Sequence, residues 1–252
     1  MNTEKVYSIN FDFRAKAQKR ILEYMQQRGY KLLGFKGAES DGQVAGVPVW
    51  LSVPYIRMTG EVKNTYQPLY KVYYMDSSTP ADKAIRMTAL SKVVELGSKV
   101  ILQEDGVFSV EPGGPEEAVL FINNRAADSG TIITGLASLV NGEYAPFCAF
   151  KAEPQKSLIM EPNDKVCLFA LPTVARTGSL AAQALAQGAL FELGASQNRL
   201  CLEMKQEGGG FSPVCWDMPV TEVHSGEALT RVMDRRDVRR QDDGTRGRDD
   251  AV

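Results

Sequence analysis

The sequence predicts a mainly β protein: two tandem β-sandwich modules, one N-terminal helix and a disordered C-terminal tail. Two observations support this fold class. From Tyr30 onward, short β-branched and aromatic runs alternate with turn residues at intervals of about 8 to 12, a spacing typical of sandwiches and barrels. Similar segments also recur about 95 to 100 residues apart, as expected of an internal duplication.

The N-terminal segment predicts a strand followed by a helix. Residues Val6 to Phe13 alternate between apolar and polar side chains, which is the pattern of a half-buried strand. From Arg14 to Arg28 the apolar period changes to three or four, which predicts an amphipathic helix that ends at Gly29. The apolar face of this helix consists of Ala17, Ile21, Leu22 and Met25.

The internal duplication rests on segments that match in the same order along the chain. The matched pairs are Val47-Pro48-Val49-Trp50 with Ala145-Pro146-Phe147-Cys148, Pro68-Leu69-Tyr70-Lys71-Val72 with Pro162-Asn163-Asp164-Lys165-Val166, and Glu95-Leu96-Gly97 with Glu192-Leu193-Gly194. Asn141-Gly142 adds a strong turn signal in the second copy, because a two-residue hairpin turn favours residues that tolerate positive φ.

The domain boundaries follow from composition. Pro and Gly between Val110 and Glu117 break regular structure, so a boundary is expected near residue 113. The first module, with the N-terminal strand and helix, is predicted at residues 1–112 and the second at 116–222. Residues 223–252 end in a stretch dominated by Arg and Asp, which predicts a disordered tail.

Composition and charge argue against several classes of function. The net charge of −2 gives no basic face for nucleic acid, and no apolar run reaches the roughly 20 residues of a transmembrane segment. The first residues lack the apolar stretch of a secretory signal, so a cytoplasmic location is expected. The four cysteines lack metal-ligand spacing, so free thiols are expected, with no metal and no cofactor.

No motif in the sequence identifies a reaction. His224, the single histidine, follows the last apolar segment and is expected to be solvated, which argues against His-based hydrolysis. Glu95 and Glu192 occupy matched positions beside turn glycines, and their repetition favours a structural role over catalysis. Catalytic residues are therefore unknown at this level.

The first module is richer in large aromatic residues than the second. Tyr and Trp give a large contact area together with a polar group, so such a set could line a binding surface. The predicted ligand-binding residues are Trp50, Tyr55, Tyr70, Tyr73 and Tyr74. Core packing and cross-strand pairing would account for the same residues without a ligand.

Several short motifs resemble a group of small, functionally uncharacterised fungal proteins with two tandem β modules. These motifs are Gly29-Tyr30-Lys31-Leu32-Leu33, Pro48-Val49-Trp50, Tyr66-Gln67-Pro68-Leu69-Tyr70-Lys71-Val72, Gly135-Leu136-Ala137, Asn141-Gly142 and Pro146-Phe147. The resemblance covers roughly residues 30 to 212, and the loop at 38–46 and the charged tail depart from it. It implies the two-module fold and brings no catalytic residues.

These observations favour a non-catalytic protein that binds a small molecule, a glycan or a protein partner, with an undetermined oligomeric state. A cofactor-independent enzyme is the alternative, such as an isomerase or cyclase with its pocket between the modules, because a lone carboxylate or Tyr can supply acid–base chemistry. A membrane-active or self-assembling β protein is a third possibility, for which exposed sheet edges would be the sign.

Overall fold

The computed structural model describes residues 5–76, 84–194, 198–207 and 210–234. Within these residues the chain is mainly β, and its eighteen strands form one connected, open sheet. Two short α-helices and one 3-10 helix accompany the sheet. Neither α-helix of the described segments has the length and apolar character needed to span a membrane.

The strands and helices follow one another along the chain in this order. They are β1 (Tyr7–Asp12), α1 (Lys16–Gln27), β2 (Tyr30–Ser40), β3 (Val44–Pro48), β4 (Leu51–Pro54), a 3-10 helix (Tyr55–Arg57), β5 (Glu61–Met75), β6 (Ala89–Leu90), β7 (Ser98–Leu102), β8 (Phe108–Pro112), β9 (Val119–Asn123), β10 (Ile132–Val140), β11 (Glu143–Pro146), β12 (Ala149–Ala152), β13 (Lys156–Pro172), β14 (Leu180–Ala181), β15 (Gly188–Glu192), β16 (Arg199–Glu207), β17 (Gly210–Cys215), β18 (Thr221–Val223) and α2 (Leu229–Val232).

The helix α1 packs on the sheet through an amide as well as through apolar side chains. Leu22 and Met25 are buried, and Gln18 is buried with them. The Gln18 side chain donates to the Met204 carbonyl and accepts from the Met204 N–H, both at 3.0 Å. Gly29 follows the helix with φ of +66°, a conformation that glycine adopts without steric strain.

The two longest strands, β5 and β13, organise the sheet. β5 pairs antiparallel with β1 and then with β10, whereas β13 pairs antiparallel with β9 and then with β2. We call residues 5–112 the first half and residues 116–222 the second half. Each long strand is therefore hydrogen-bonded to a strand of the other half, because β2 and β5 lie in the first half while β10 and β13 lie in the second.

Two parallel strand pairings also connect the first half to the second. β1 of the first half pairs in parallel with β16, and β9 of the second half pairs in parallel with β7. β1 thus lies between β5 and β16, and β9 lies between β13 and β7. Pairing crosses the predicted boundary near residue 113 in both directions, so the two halves share one sheet.

Apolar side chains fill both faces of this sheet. The largest buried cluster contains Trp50, Phe121 and Leu168, while smaller clusters surround Phe169 and Tyr73. Every residue of β13 from Lys165 to Ala170 is buried. Successive side chains of a strand point to opposite faces, so β13 is covered on both faces here.

The segment after residue 222 differs from the predicted disordered tail. Val223 ends β18, Leu229 of α2 is fully buried, and Met233 packs beside it in the cluster around Phe169. These apolar side chains account for the ordered packing, which the charge-rich composition of the region concealed. The remainder of the predicted tail, residues 235–252, lies outside the described residues.

The close approach of β10 to the residues before β12 makes Gly135 a sensitive position. A Cβ at Gly135 would overlap the Cys148 carbonyl oxygen, which also accepts a 2.7 Å hydrogen bond from the Tyr73 hydroxyl. We expect Gly135→Ala to lower the free energy of unfolding by about 3 kcal/mol, because the core has no room for the methyl group. Urea denaturation measures this loss.

Gly194→Ala is the matched control for this substitution. No described atom lies within 4 Å of where the Gly194 Cβ would be. The control should change the free energy of unfolding by less than about 0.5 kcal/mol. Equal stabilities of the two variants would contradict the close packing at Gly135.

Candidate functional site

The five aromatic residues predicted to bind a ligand all lie in the interior. Trp50, Tyr55 and Tyr73 are fully buried, and Tyr70 and Tyr74 are nearly so. They form no exposed aromatic face, because other parts of the chain cover all five side chains. Tyr73 lies in a different apolar cluster from the other four residues.

Part of this aromatic set surrounds a polar group in the core. The Trp50 indole N–H donates to the Ser138 hydroxyl at 3.0 Å, and its ring packs edge-on against Tyr66 at 5.1 Å between ring centres. The Tyr66 and Tyr70 hydroxyls are 3.2 Å apart. Burial raises the pKa of both phenols, that of Tyr70 to about 12, so both stay protonated near neutral pH.

A fully buried lysine lies beside these aromatic residues. Lys36 of β2 donates from Nζ to the Asn163 carbonyl oxygen at 2.5 Å. The same Nζ lies 5.2 Å from the ring centre of Tyr66 and 5.4 Å from that of Phe147, both within range of a cation–π interaction. One carbonyl and two ring faces therefore hold the charged form of this amine.

These contacts do not offset the loss of water around Lys36. Burial lowers the pKa of the Lys36 ammonium to about 8, although Asp164 and Cys148 act in the opposite direction. Burial also raises the pKa of the Cys148 thiol to about 12. Near neutral pH the amine is thus far easier to deprotonate than an ordinary lysine, while the neighbouring thiol keeps its proton.

A small cavity adjoins this cluster at the seam of the two halves. Its volume is about 40 Å³, and its walls include Lys36, Phe147 and Cys148. A single water needs roughly 10–15 Å³ of such space, so the cavity has room for a group of a few atoms. Thr230 and Met233 close one side of it. We call this space the Lys36 cavity.

The chain around α2, residues 229–234, covers the Lys36 cavity, and we call it the C-terminal strap. The Asn163 amide nitrogen donates to the Met233 carbonyl at 2.8 Å, and Lys165 Nζ donates to the carbonyls of Val232 at 3.3 Å and Asp234 at 2.6 Å. Asn163 therefore contacts both the Lys36 amine and the strap.

A second candidate site is an open groove on the outer face of β1 and β16. It has a volume of about 260 Å³, and Trp216 stands at its rim with 76% of its surface exposed. Lining residues include Asn10, Asp12, Arg14, Glu61, Glu203 and Asp217. We call it the Trp216 groove.

The charges of the Trp216 groove are arranged around Arg14. Its guanidinium bonds both carboxylate oxygens of Asp12, at 2.9 and 2.6 Å, and lies 3.6 Å from a Glu61 oxygen. Hydrogen bonds from Arg14 lower the pKa of Asp12 to about 2. The groove lining carries four carboxylates and two guanidinium groups, Arg14 and Arg199, so its net character is acidic.

Asn10 is the unusual polar group of the groove. It is only 7% exposed, and its Oδ1 accepts no hydrogen bond from any described residue. A buried amide oxygen without a donor costs roughly 1–3 kcal/mol, so such an atom in a groove is a candidate for ligand recognition. Cys201, the parallel partner of Asn10 in β16, is exposed beside it.

The remaining sequence-level candidates lie outside both sites. His224 is largely exposed and 3.8 Å from Glu222. Glu95, before the turn that leads into β7, and Glu192, at the end of β15, are both exposed. Within the described ranges, no group of three or more His, Cys, Asp and Glu side chains is placed to hold a metal ion.

Sequence reasoning missed Lys36 and Trp216. A signal for Lys36 was present, since this charged residue directly follows the apolar run Leu32-Leu33-Gly34-Phe35. Trp216 follows β17 and directly precedes Asp217, but the larger number of aromatic residues in the first module drew the prediction to Trp50 instead.

Comparisons with protein-family models, with curated proteins and with solved structures found no match for this chain.

Lys36 gives the stability of the protein a distinct pH dependence. Its amine loses its proton near pH 8 in the folded chain but near 10.5 when unfolded. The free-energy penalty for burying this amine is therefore smallest at high pH, where it is neutral in both states. We expect the free energy of unfolding of the wild type, relative to Lys36→Met, to rise by about 3 kcal/mol between those pH values. Denaturation at a series of pH values measures it.

The comparison with Lys36→Met isolates the amine, because the buried cysteines and tyrosines titrate in both proteins. Below about pH 8 the difference between the two proteins should be constant. A difference that is flat or falls between pH 8 and 10.5 would show that the folded state does not disfavour the ammonium.

Proposed function

We propose that this chain is a non-catalytic binding protein and that the Trp216 groove takes a glycan. The observation that carries the proposal is the exposed Trp216 beside a groove that contains the unpartnered amide oxygen of Asn10. An indole face offers apolar contact to the C–H face of a sugar ring. The polar lining offers hydrogen-bond partners for its hydroxyl groups.

The charge of the groove narrows the ligand class. Four carboxylates and two guanidinium groups favour a neutral or positively charged sugar over an acidic one. An amino sugar satisfies both requirements, since its ammonium pairs with carboxylates such as Glu203 and Asp217 and its ring stacks on Trp216.

The electrostatics of the groove favour binding over catalysis. A general acid or base works best with a pKa near the operating pH, whereas the pKa of Asp12 is lowered to about 2 by Arg14. Asp12 is thereby fixed as a carboxylate whose two oxygens are occupied by Arg14. It suits the role of a positioned charge at the rim.

A second candidate function is a cofactor-independent enzyme, such as an isomerase or cyclase, at the seam of the halves. One observation favours it: the buried Lys36 adjoins a cavity between β2 and β3 of the first half and residues 147–150 of the second. With a pKa of about 8, this amine is suited to proton abstraction close to neutral pH.

We also propose a duplication as the origin of the fold. The two halves are copies of one β module, supported by the repeated segments and by the reciprocal pairing of β2 with β13 and of β10 with β5. The resemblance to two-module fungal proteins stays a proposal alongside it. A cytoplasmic location is supported by the four free cysteines, since reduced thiols are typical of that compartment.

Removal of the indole tests the proposed function. We expect chitosan oligomers, as amino-sugar probes, to bind the wild type and to bind Trp216→Ala at least about tenfold more weakly, because stacking is lost. Isothermal titration calorimetry measures both affinities. Intrinsic fluorescence reports the same event, since Trp50, the other tryptophan, is fully buried.

Trp216→Phe is the matched control, because it keeps an aromatic face at the same position. It should retain most of the affinity that Trp216→Ala loses. Equal binding by all three proteins would place the sugar elsewhere. Absence of binding to neutral and amino sugars in the wild type would remove the glycan proposal altogether.

A further inference from the structure

The Lys36 amine combines three properties that no other lysine of the described chain is shown to combine. It is fully buried, it adjoins a cavity, and its ammonium is held by a single backbone carbonyl. Lys165 is also buried, but two carbonyls of the C-terminal strap engage its Nζ. Of the two buried lysines, Lys36 is therefore the one that lines a described cavity.

We propose that Lys36 is a covalent attachment site for a small aldehyde, and that the C-terminal strap controls access to it. This inference goes beyond the proposed function, because it involves a different site and holds whether or not the Trp216 groove binds a glycan. The ligand class follows from the chemistry of the site: the neutral fraction of a primary amine in a mostly apolar cavity attacks carbonyl carbon.

The reaction is balanced without a further reagent. The lone pair of neutral Lys36 Nζ forms a bond to the carbonyl carbon, and a proton passes from nitrogen to oxygen to give a carbinolamine. Loss of the hydroxyl group as water then gives the imine. No electron is gained or lost, and one water is released for each aldehyde bound.

Burial makes Lys36 the favoured nucleophile among the lysines. At about pH 7, a pKa of about 8 gives a neutral amine fraction about 300-fold larger than the ordinary lysine pKa of 10.5 gives. The nearby Cys148 thiol does not compete, because burial raises its pKa to about 12. The cavity walls of Phe147, Val47 and Met233 suit the apolar end of a short aldehyde.

The strap lines both this cavity and a neighbouring groove that is open to solvent. That groove has a volume of about 280 Å³ and shares Ala38, Val44, Phe150 and Thr230 with the Lys36 cavity. Thr230 belongs to α2, so displacement of the strap joins the two spaces. The strap is anchored by Leu229, which is fully buried, and by hydrogen bonds from Asn163 and Lys165.

Reductive alkylation of the full chain tests the proposal. The native protein is incubated with acetaldehyde and sodium cyanoborohydride at about pH 7, and N-ethylation of each lysine is followed by peptide mass spectrometry. We expect Lys36 to be ethylated faster than Lys165. Leu229→Ala, which weakens the strap without touching Lys36, should raise the Lys36 rate by about tenfold or more.

Lys165→Met provides a second way to loosen the strap, because it removes the hydrogen bonds to Val232 and Asp234. It should also speed ethylation of Lys36, with thermal unfolding still far above the reaction temperature. The proposal is overturned if Lys36 stays unmodified in the wild type and both variants while the exposed strand residue Lys63 reacts. It is equally overturned if Lys36 reacts only in proportion to global unfolding in urea.

Discussion

The backbone hydrogen bonds of the two long strands impose the constraint on which the rest of the fold depends. β5 and β13 are long, and the strands of their own half cannot pair all of their backbone N–H and C=O groups. Buried backbone groups must be paired. The exchange of β2 and β10 between the halves meets this requirement. One half cannot keep these bonds without the other, so the seam is part of the core.

A β-bulge in the pairing between the two halves positions the polar groups around Lys36. Pairing of β2 with β13 shifts register between Pro162 and Val166, so the intervening residues bulge opposite Gly37. A Cβ at Gly37 would overlap the Asn163 side chain, so the glycine makes room for the bulge. The bulge turns the Asn163 carbonyl to Lys36 and its amide to the strap.

Local features were predictable and long-range ones were not. The Asn141-Gly142 turn has positive φ at both residues, as its sequence requires, and the alternation from Tyr70 to Met75 sends Tyr73 to a separate cluster. Strand exchange leaves no local signal, because β2 has the same pattern whichever long strand it joins. The burial of Lys36 likewise depends on a register shift in a strand distant in sequence.

The two parallel pairings between the halves differ in their side chains rather than in their backbone. Asn10 pairs with Cys201 where β1 meets β16, and Ile122 pairs with Ile101 where β9 meets β7. The backbone arrangement is the same at both places, so the difference lies in the side chains that face outward. Apolar side chains at one place and a buried amide with an unpartnered oxygen at the other show that the same parallel pairing carries different chemistry in the two places.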